Sequence, residues 1–146
     1  FQFGQTCLGS KVGATEPYAG RFDKDGVAKF DVSGIELGTK DGVLDYAFIT
    51  ISNFQGVFLK KSAAISVSAR TSPEQIISLF GEPYWTDNKD DDESILFYEY
   101  QNGSIELQFE FPGKHSLGFI TLSRNGVLSD SKQRKAYGVT KDWPPK

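Results

Sequence analysis

The dipeptide Asn102-Gly103 constrains this chain more than any other feature. It separates two alternating runs, Ile95–Gln101 and Ser104–Phe111. A tight type I′ hairpin turn needs positive φ at both central residues, which Asn and Gly adopt with little strain. A two-residue loop pairs Gln101 with Ser104, and the remaining register follows. Tyr100 then opposes Ile105, Tyr98 opposes Leu107 and Leu96 opposes Phe109, forming one apolar face. The other face pairs Glu99 with Glu106, Phe97 with Gln108 and Ile95 with Glu110.

An apolar sheet face needs a cover, and the preceding stretch supplies a helix. Ser72-Pro73-Glu74-Gln75 reads as a capping box with proline at the first helical position. Ile76, Ile77, Leu79 and Phe80 share one face; Gly81 takes the left-handed stop position, and Pro83 blocks continuation. The turn around Pro112-Gly113-Lys114 leads to a further strand. A three-residue, odd loop there places Leu117 opposite Phe109 and Phe119 opposite Leu107, on the apolar face. An even loop would turn them to the acidic side.

Upstream, Gln2–Leu8 is a candidate strand and Gly9–Gly26 reads as turns. Strands are expected at Val27–Val32, Ile35–Leu37, Val43–Ser52, Val57–Leu59 and Ile65–Ser68. Within Asp45–Ser52, Tyr46, Phe48 and Thr50 share one face, and Ala47, Ile49 and Ile51 the other. Both faces are mostly apolar, as in a central strand covered on each side. Tyr46–Ile51 and Phe119–Leu122 have similar character, which leaves a degenerate duplication open. Ser129–Tyr137 reads as a short second helix, capped by Ser129 or Asp130 and stopped by Gly138. Trp143 is expected to dock on the body, because a large ring gains from burial. The expected fold is therefore α+β: antiparallel sheet, one capped helix packed on it, and a short C-terminal helix. The chain reads as a single domain over 1–146, with 1–70 mainly β and 71–146 carrying the helix, meander and C-terminal helix.

A net charge of −3 and a pI near 5.2 argue against a nucleic-acid partner, since phosphate binding needs a basic face. No apolar run is long enough to span a bilayer, and no basic amphipathic helix suits its surface. Cys7 is the single cysteine, so no internal disulfide forms; a bacterial cytoplasm fits slightly better than a periplasm, with the compartment left open. With no methionine in the chain, Phe1 is not a start residue, and the reading is that a leader was removed or the chain trimmed.

The acidic loop Asp87–Glu93 invites a calcium reading. Lys89 and the lack of glycine break the EF-hand spacing, so a solvated loop is expected instead. His115 is the only histidine, and neither Ser116 nor Cys7 sits in a nucleophile elbow. One histidine and one cysteine do not make a zinc site unaided. Glu99 opposite Glu106 has the two carboxylates of a glycosidase, but the sequence builds no sugar cleft around them. No catalytic residue, cofactor or metal is therefore expected. Like charges placed opposite each other still need compensation, either from Lys or Arg elsewhere in the chain or from a basic partner. Ile95 and Phe97 on that acidic face are either covered by the first half of the chain or form a binding face. Tyr84 and Trp85 look like aromatic interface anchors, and Asp90, Asp91, Asp92 and Glu93 like steering charges. The candidate partner-binding set is thus Tyr84, Trp85, Asp90, Asp91, Asp92, Glu93, Phe97, Glu99 and Glu106.

Phe80-Gly81-Glu82-Pro83-Tyr84-Trp85, Glu106–Phe111 and Gln133-Arg134 to Tyr137 carry a family resemblance. Over roughly residues 70–145 the chain resembles the helix-plus-antiparallel-sheet unit of the BamE and β-lactamase-inhibitor-protein type. It also looks like small bacterial domains of unknown function. The resemblance implies a non-enzymatic protein binder, of the kind that serves as an immunity protein by neutralising a toxin. The alternatives are an envelope-associated structural or assembly domain and, third, a small enzyme. The expected partner is another protein with a basic surface.

Overall fold

The structure is a computed structural model that describes residues 2–3, 6–14, 16–54, 56, 58–60 and 63–145, with only the backbone of Phe3 and Lys60. In chain order the strands are β1 (Gln2–Phe3), β2 (Thr6–Cys7), β3 (Val27–Phe30), β4 (Ile35–Lys40), β5 (Val43–Thr50), β6 (Phe58–Lys60), β7 (Ala63–Ile65), β8 (Trp85–Asp87), β9 (Glu93–Tyr100), β10 (Ile105–Pro112) and β11 (Phe119–Arg124). The helices are α1 (Pro73–Phe80) and α2 (Ser131–Ala136). Seven strands form one antiparallel sheet in the order β3-β4-β5-β11-β10-β9-β8, and β1-β2 and β6-β7 form small separate pairs. The architecture is α+β.

The β9–β10 hairpin has the register that the turn dipeptide demands, with Tyr98 opposite Leu107 and Glu99 opposite Glu106. The turn is wider than two residues. Gln101 joins Asn102 and Gly103 at positive φ (51°, 56° and 77°), so the ladder ends at Tyr100–Ile105 and Gln101 is a turn residue. The capping box is present: Gln75 N–H donates to Ser72 Oγ (3.4 Å), and Ser72 N–H donates to Gln75 Oε1 (2.8 Å). Gly81 ends α1 at φ 85° and ψ −173°, a positive-φ extended conformation and not the left-handed helical one expected. α1 covers the inner face of the hairpin. Ile76 is fully buried, and the Phe80 ring lies 5.0 Å from Phe109 and 5.9 Å from Tyr98. The Tyr98 hydroxyl donates to Gly81 O at 2.8 Å, tying the helix end to the sheet.

The connection from β10 to β11 overturns the odd-loop expectation. Phe119 pairs with Glu110, Ile120 with Phe109 and Leu122 with Leu107. Leu117 does reach the core, 1% exposed, but from outside the ladder: its N–H donates to Thr71 O (3.2 Å) beside α1. Gly118 then re-enters by donating to Glu110 O (2.9 Å). Any Cβ at Gly118 would stand 2.7 Å from Pro112 Cδ, so only glycine passes there. As a result Phe119, Thr121 and Ser123 turn to the outer face.

β5 lies inside the sheet between β4 and β11, with Ala47 and Ile49, and Ile51 just past its end, buried on the inner side. Leu8, Val12, Tyr18 and Phe22 cover Leu37, Leu44 and Ala47 on that side. Several expected strands shift. Val27–Val32 stops at Phe30 before a 3-10 turn, Ile35–Leu37 extends to Lys40, and Ile65–Ser68 becomes Ala63–Ile65. Gln2–Leu8 splits into β1 and β2, while its Gly4 and Gln5, like Val57 of another expected strand, lie outside the described residues. Among the described residues no helix is long and apolar enough to cross a membrane.

Candidate functional site

The C-terminal segment covers half of the outer face. Ile95, Phe97 and Leu128 form a buried cluster, joined by Tyr84, Trp85, Tyr137, Val139 and Trp143. The Tyr137 ring stands edge-on to Phe97 at 5.1 Å, and Phe97 is 0% exposed. Residues 127–143, and not the first half of the chain, are therefore the cover for Ile95 and Phe97. Trp85 Nε1 donates to Tyr137 O (3.1 Å), and the Tyr84 hydroxyl donates to Asp142 O (2.9 Å). Trp143 docks as expected, with Tyr84 at 5.9 Å and the Arg134 guanidinium 4.7 Å from its ring centre. Tyr84 and Trp85 are half-buried, and their polar atoms are engaged in holding this segment.

Glu106 is the anchor beneath the segment. It is 0% exposed; its Oε1 accepts from Val127 N–H and its Oε2 from Leu128 N–H, both at 2.8 Å. Gln108 Nε2 also donates to Oε1. Glu106 thus caps the 3-10 turn Val127–Ser129 that leads into α2, and the expected Lys or Arg compensation is replaced by backbone donors. Glu99, opposite it, has both carboxyl oxygens buried with no N–H donor on either, and its acid proton faces the Glu106 carboxylate. Burial first, then the neighbouring Glu106, push the Glu99 carboxyl up to about 10.

At one end of the sheet the acids gather. Asp90, Asp91 and Asp92 are exposed in the β8–β9 turn, and Asp87 and Glu93 are half-buried at its two ends. Lys89 is engaged at the end of α2, where it donates to Ala136 O (2.7 Å). Asp87 pairs with Ile95, and Ile95 with Glu110, so these acids share the outer face. Burial and the Glu93 charge raise the Glu110 carboxyl, and burial together with Asp87, Glu110 and Glu93 raises the Tyr137 hydroxyl. Among the described residues no three acidic, His or Cys side chains are grouped to hold a metal ion. His115 lies exposed in the β10–β11 connection.

The other half of the outer face stays open. Tyr46, Phe48, Phe119, Thr121 and Ser123 are all half-buried. Phe48 and Phe119 stack at 5.5 Å with an interplanar angle of 23°. The Tyr46 ring lies across Gly38, where a Cβ would come within 1.8 Å of it, and its hydroxyl donates to Glu36 Oε1 (2.7 Å). That bond holds Glu36 below the usual carboxylate range, and Lys29 adds an ion pair at 3.1 Å. A depression of about 120 Å³ by Lys29, Glu36 and Phe48 flanks the stacked rings on one side. A shallower one of about 480 Å³ lies by Ser123, Arg124, Gln133 and Tyr137, toward the C-terminal segment. Sequence reasoning missed Phe48 and Phe119 as surface residues for two reasons: it expected β5 to be covered on both faces, whereas the Tyr46–Phe48–Thr50 face is open, and it assigned Phe119 to the core face.

No family model matches the chain, and no curated protein sequence matches it. Among solved structures it is similar to a DUF4309 family protein (YjgB) from Bacillus subtilis. The TM-score is 0.41 at 16% sequence identity, covering 80% of this chain and 72% of that one.

Proposed function

We propose that this chain is a non-enzymatic protein-binding module of the immunity type, which neutralises a partner by docking on its basic surface. The observation that carries the reading is the acidic end of the sheet. Asp87, Glu93 and Glu110 converge there on one face beside the exposed Asp90–Asp92 turn. The ion pairs among the described residues, Lys29–Glu36 and Arg124–Asp45, both lie elsewhere. Carboxylates left without cations at a protein edge steer a basic partner and speed its encounter.

The test is to recover a partner from the native host, purify it and measure association rates over a salt series. Association should slow as salt rises. Replacing Asp90, Asp91, Asp92 and Glu93 with Asn or Gln should lower the on-rate and flatten its salt dependence, with melting unchanged. Co-expression of the chain should protect cells from the partner. Salt-independent association, or no protection, would overturn the reading.

A further inference from the structure

The open half of the outer face has an ordered chemistry. Glu36 on β4 pairs with Phe48 on β5, Phe48 stacks on Phe119 of β11, and Phe119 pairs with Glu110 on β10. Two carboxylates therefore bracket an aromatic pair across four neighbouring strands. They are not equivalent. Glu36 is committed to the Tyr46 hydroxyl and to Lys29. Glu110 is half-buried beside Phe119, and the charge that acts on it is the like charge of Glu93.

A ring face attracts a cation through its quadrupole, and a carboxylate attracts it through its charge; side by side, both act on one cation. A guanidinium suits such a corner better than an ammonium, because its plane can lie on a ring while its N–H fork meets a carboxylate. We propose that the Phe119–Glu110 corner receives an arginine side chain of the basic partner, whose extended segment runs along β11 over Thr121 and Ser123. This rests on the protein-binding reading and names the partner chemistry that the site takes. Charge complementarity selects the occupant: the cation satisfies Glu110, and the stacked rings give its stem an apolar floor.

The probe is a short blocked peptide, Gly-Ser-Arg-Ser-Gly, titrated into the isotope-labelled full chain and followed by amide and ring NMR signals. Two comparison peptides replace the arginine with lysine or with neutral citrulline. The arginine peptide should produce saturable shifts centred on Phe48, Glu110 and Phe119, and citrulline should bind about tenfold more weakly. Phe119→Ala or Glu110→Gln should remove the saturable shifts while the rest of the spectrum stays native. Glu110→Gln keeps the side-chain shape, so it serves even if the ring variant is destabilised. Shifts centred on Asp90–Glu93, or equal shifts with citrulline, would overturn the proposal. The two readings fail separately. A partner that still binds Phe119→Ala and Glu110→Gln but loses affinity for the neutralised acidic turn removes this corner and leaves the module. A salt-independent partner removes the module reading, while the peptide titration still decides the corner.

Discussion

Glu99 faces Glu106 across the β9–β10 ladder, and of these two carboxyl groups only Glu106 accepts from backbone N–H groups. Like charges directly opposite on a sheet repel. The sheet resolves this by dividing the roles. Glu106 serves as acceptor for two backbone N–H groups and the Gln108 amide, while Glu99 is kept in its neutral acid form by burial and by its neighbour. The C-terminal segment depends on the pair, because Glu106 caps its first turn.

Glu99 should make stability depend on pH. Its ordinary value of 4.5 rises to about 10 in the folded chain. Between those values the folded state holds a proton that the unfolded state releases. The stabilisation is complete below pH 4.5 and is lost as pH rises toward 10. Glu99→Gln keeps the shape, removes the titration and offers an amide to Glu106. It should be more stable than the parent by about 1–3 kcal/mol at pH 8. Melts from pH 4 to 9.5 check this: the gap should open with pH and close near pH 4. A constant gap would contradict the assignment.

Gly126 should tolerate no side chain. Its φ is −61°, ordinary for any residue, so alanine meets no backbone strain there. The obstacle is Glu106, whose Cβ, Cδ and Oε1 would each lie 2.4 Å from the new Cβ. Gly126→Ala should cost about 1–3 kcal/mol by overpacking. Glu106→Ala removes the clash along with the cap, so the double variant should lose less than the sum of the singles. Denaturant melts of the four chains measure the coupling, and strict additivity would place Glu106 elsewhere.

The parts of the fold legible in the sequence were those written locally. Ser72 and Gln75 make a reciprocal cap within four residues of chain. Asn102-Gly103 fixed one hairpin register from Tyr100–Ile105 onward, though not the Gln101–Ser104 pair of a two-residue loop, and alternation in Tyr46–Ile51 sorted its two faces correctly. The β10–β11 register was not legible, because it depends on Leu117 bonding to Thr71, a residue distant in sequence. That slip and the expected cover over Phe48 hid the candidate site, since the slip moved Phe119 from the open face to the core. Among the proposed partner-binding residues, Phe97 and Glu106 are closed off by a segment that begins more than a hairpin later. No local pattern announces that cover. Of that set only Asp90, Asp91 and Asp92 are exposed, as their composition suggested.

The register itself can be tested by two adjacent substitutions. Ile120 is 3% exposed and packs in the inner cluster, whereas Phe119 is half-buried and stacks on Phe48. Ile120→Ala should cost about 2–5 kcal/mol as a core truncation. Phe119→Ala should cost less, about 1–3 kcal/mol, from the lost aromatic pair and the partial burial of the ring. Denaturant unfolding of both variants settles the order. If Phe119→Ala proved the more costly, Phe119 would belong to the core and the open face would lose its aromatic floor.

The acidic turn should leave calcium alone. Asp90, Asp91 and Asp92 are exposed, and no grouping of three candidate ligands exists among the described residues. Calcium needs six to eight oxygens converging on one point, and solvated side chains on a turn do not present them. Millimolar Ca²⁺ should therefore shift the melting temperature by less than about 1 °C, no more than Mg²⁺ at equal ionic strength. An ion bound only by the native state would raise it by mass action, by several degrees once its concentration far exceeds the dissociation constant. The control is the triple variant Asp90→Asn, Asp91→Asn, Asp92→Asn, measured with and without the cation. A rise in the parent that the variant lacks would make the turn a cation site, and the steering role of its charges would then apply only to the calcium-free chain.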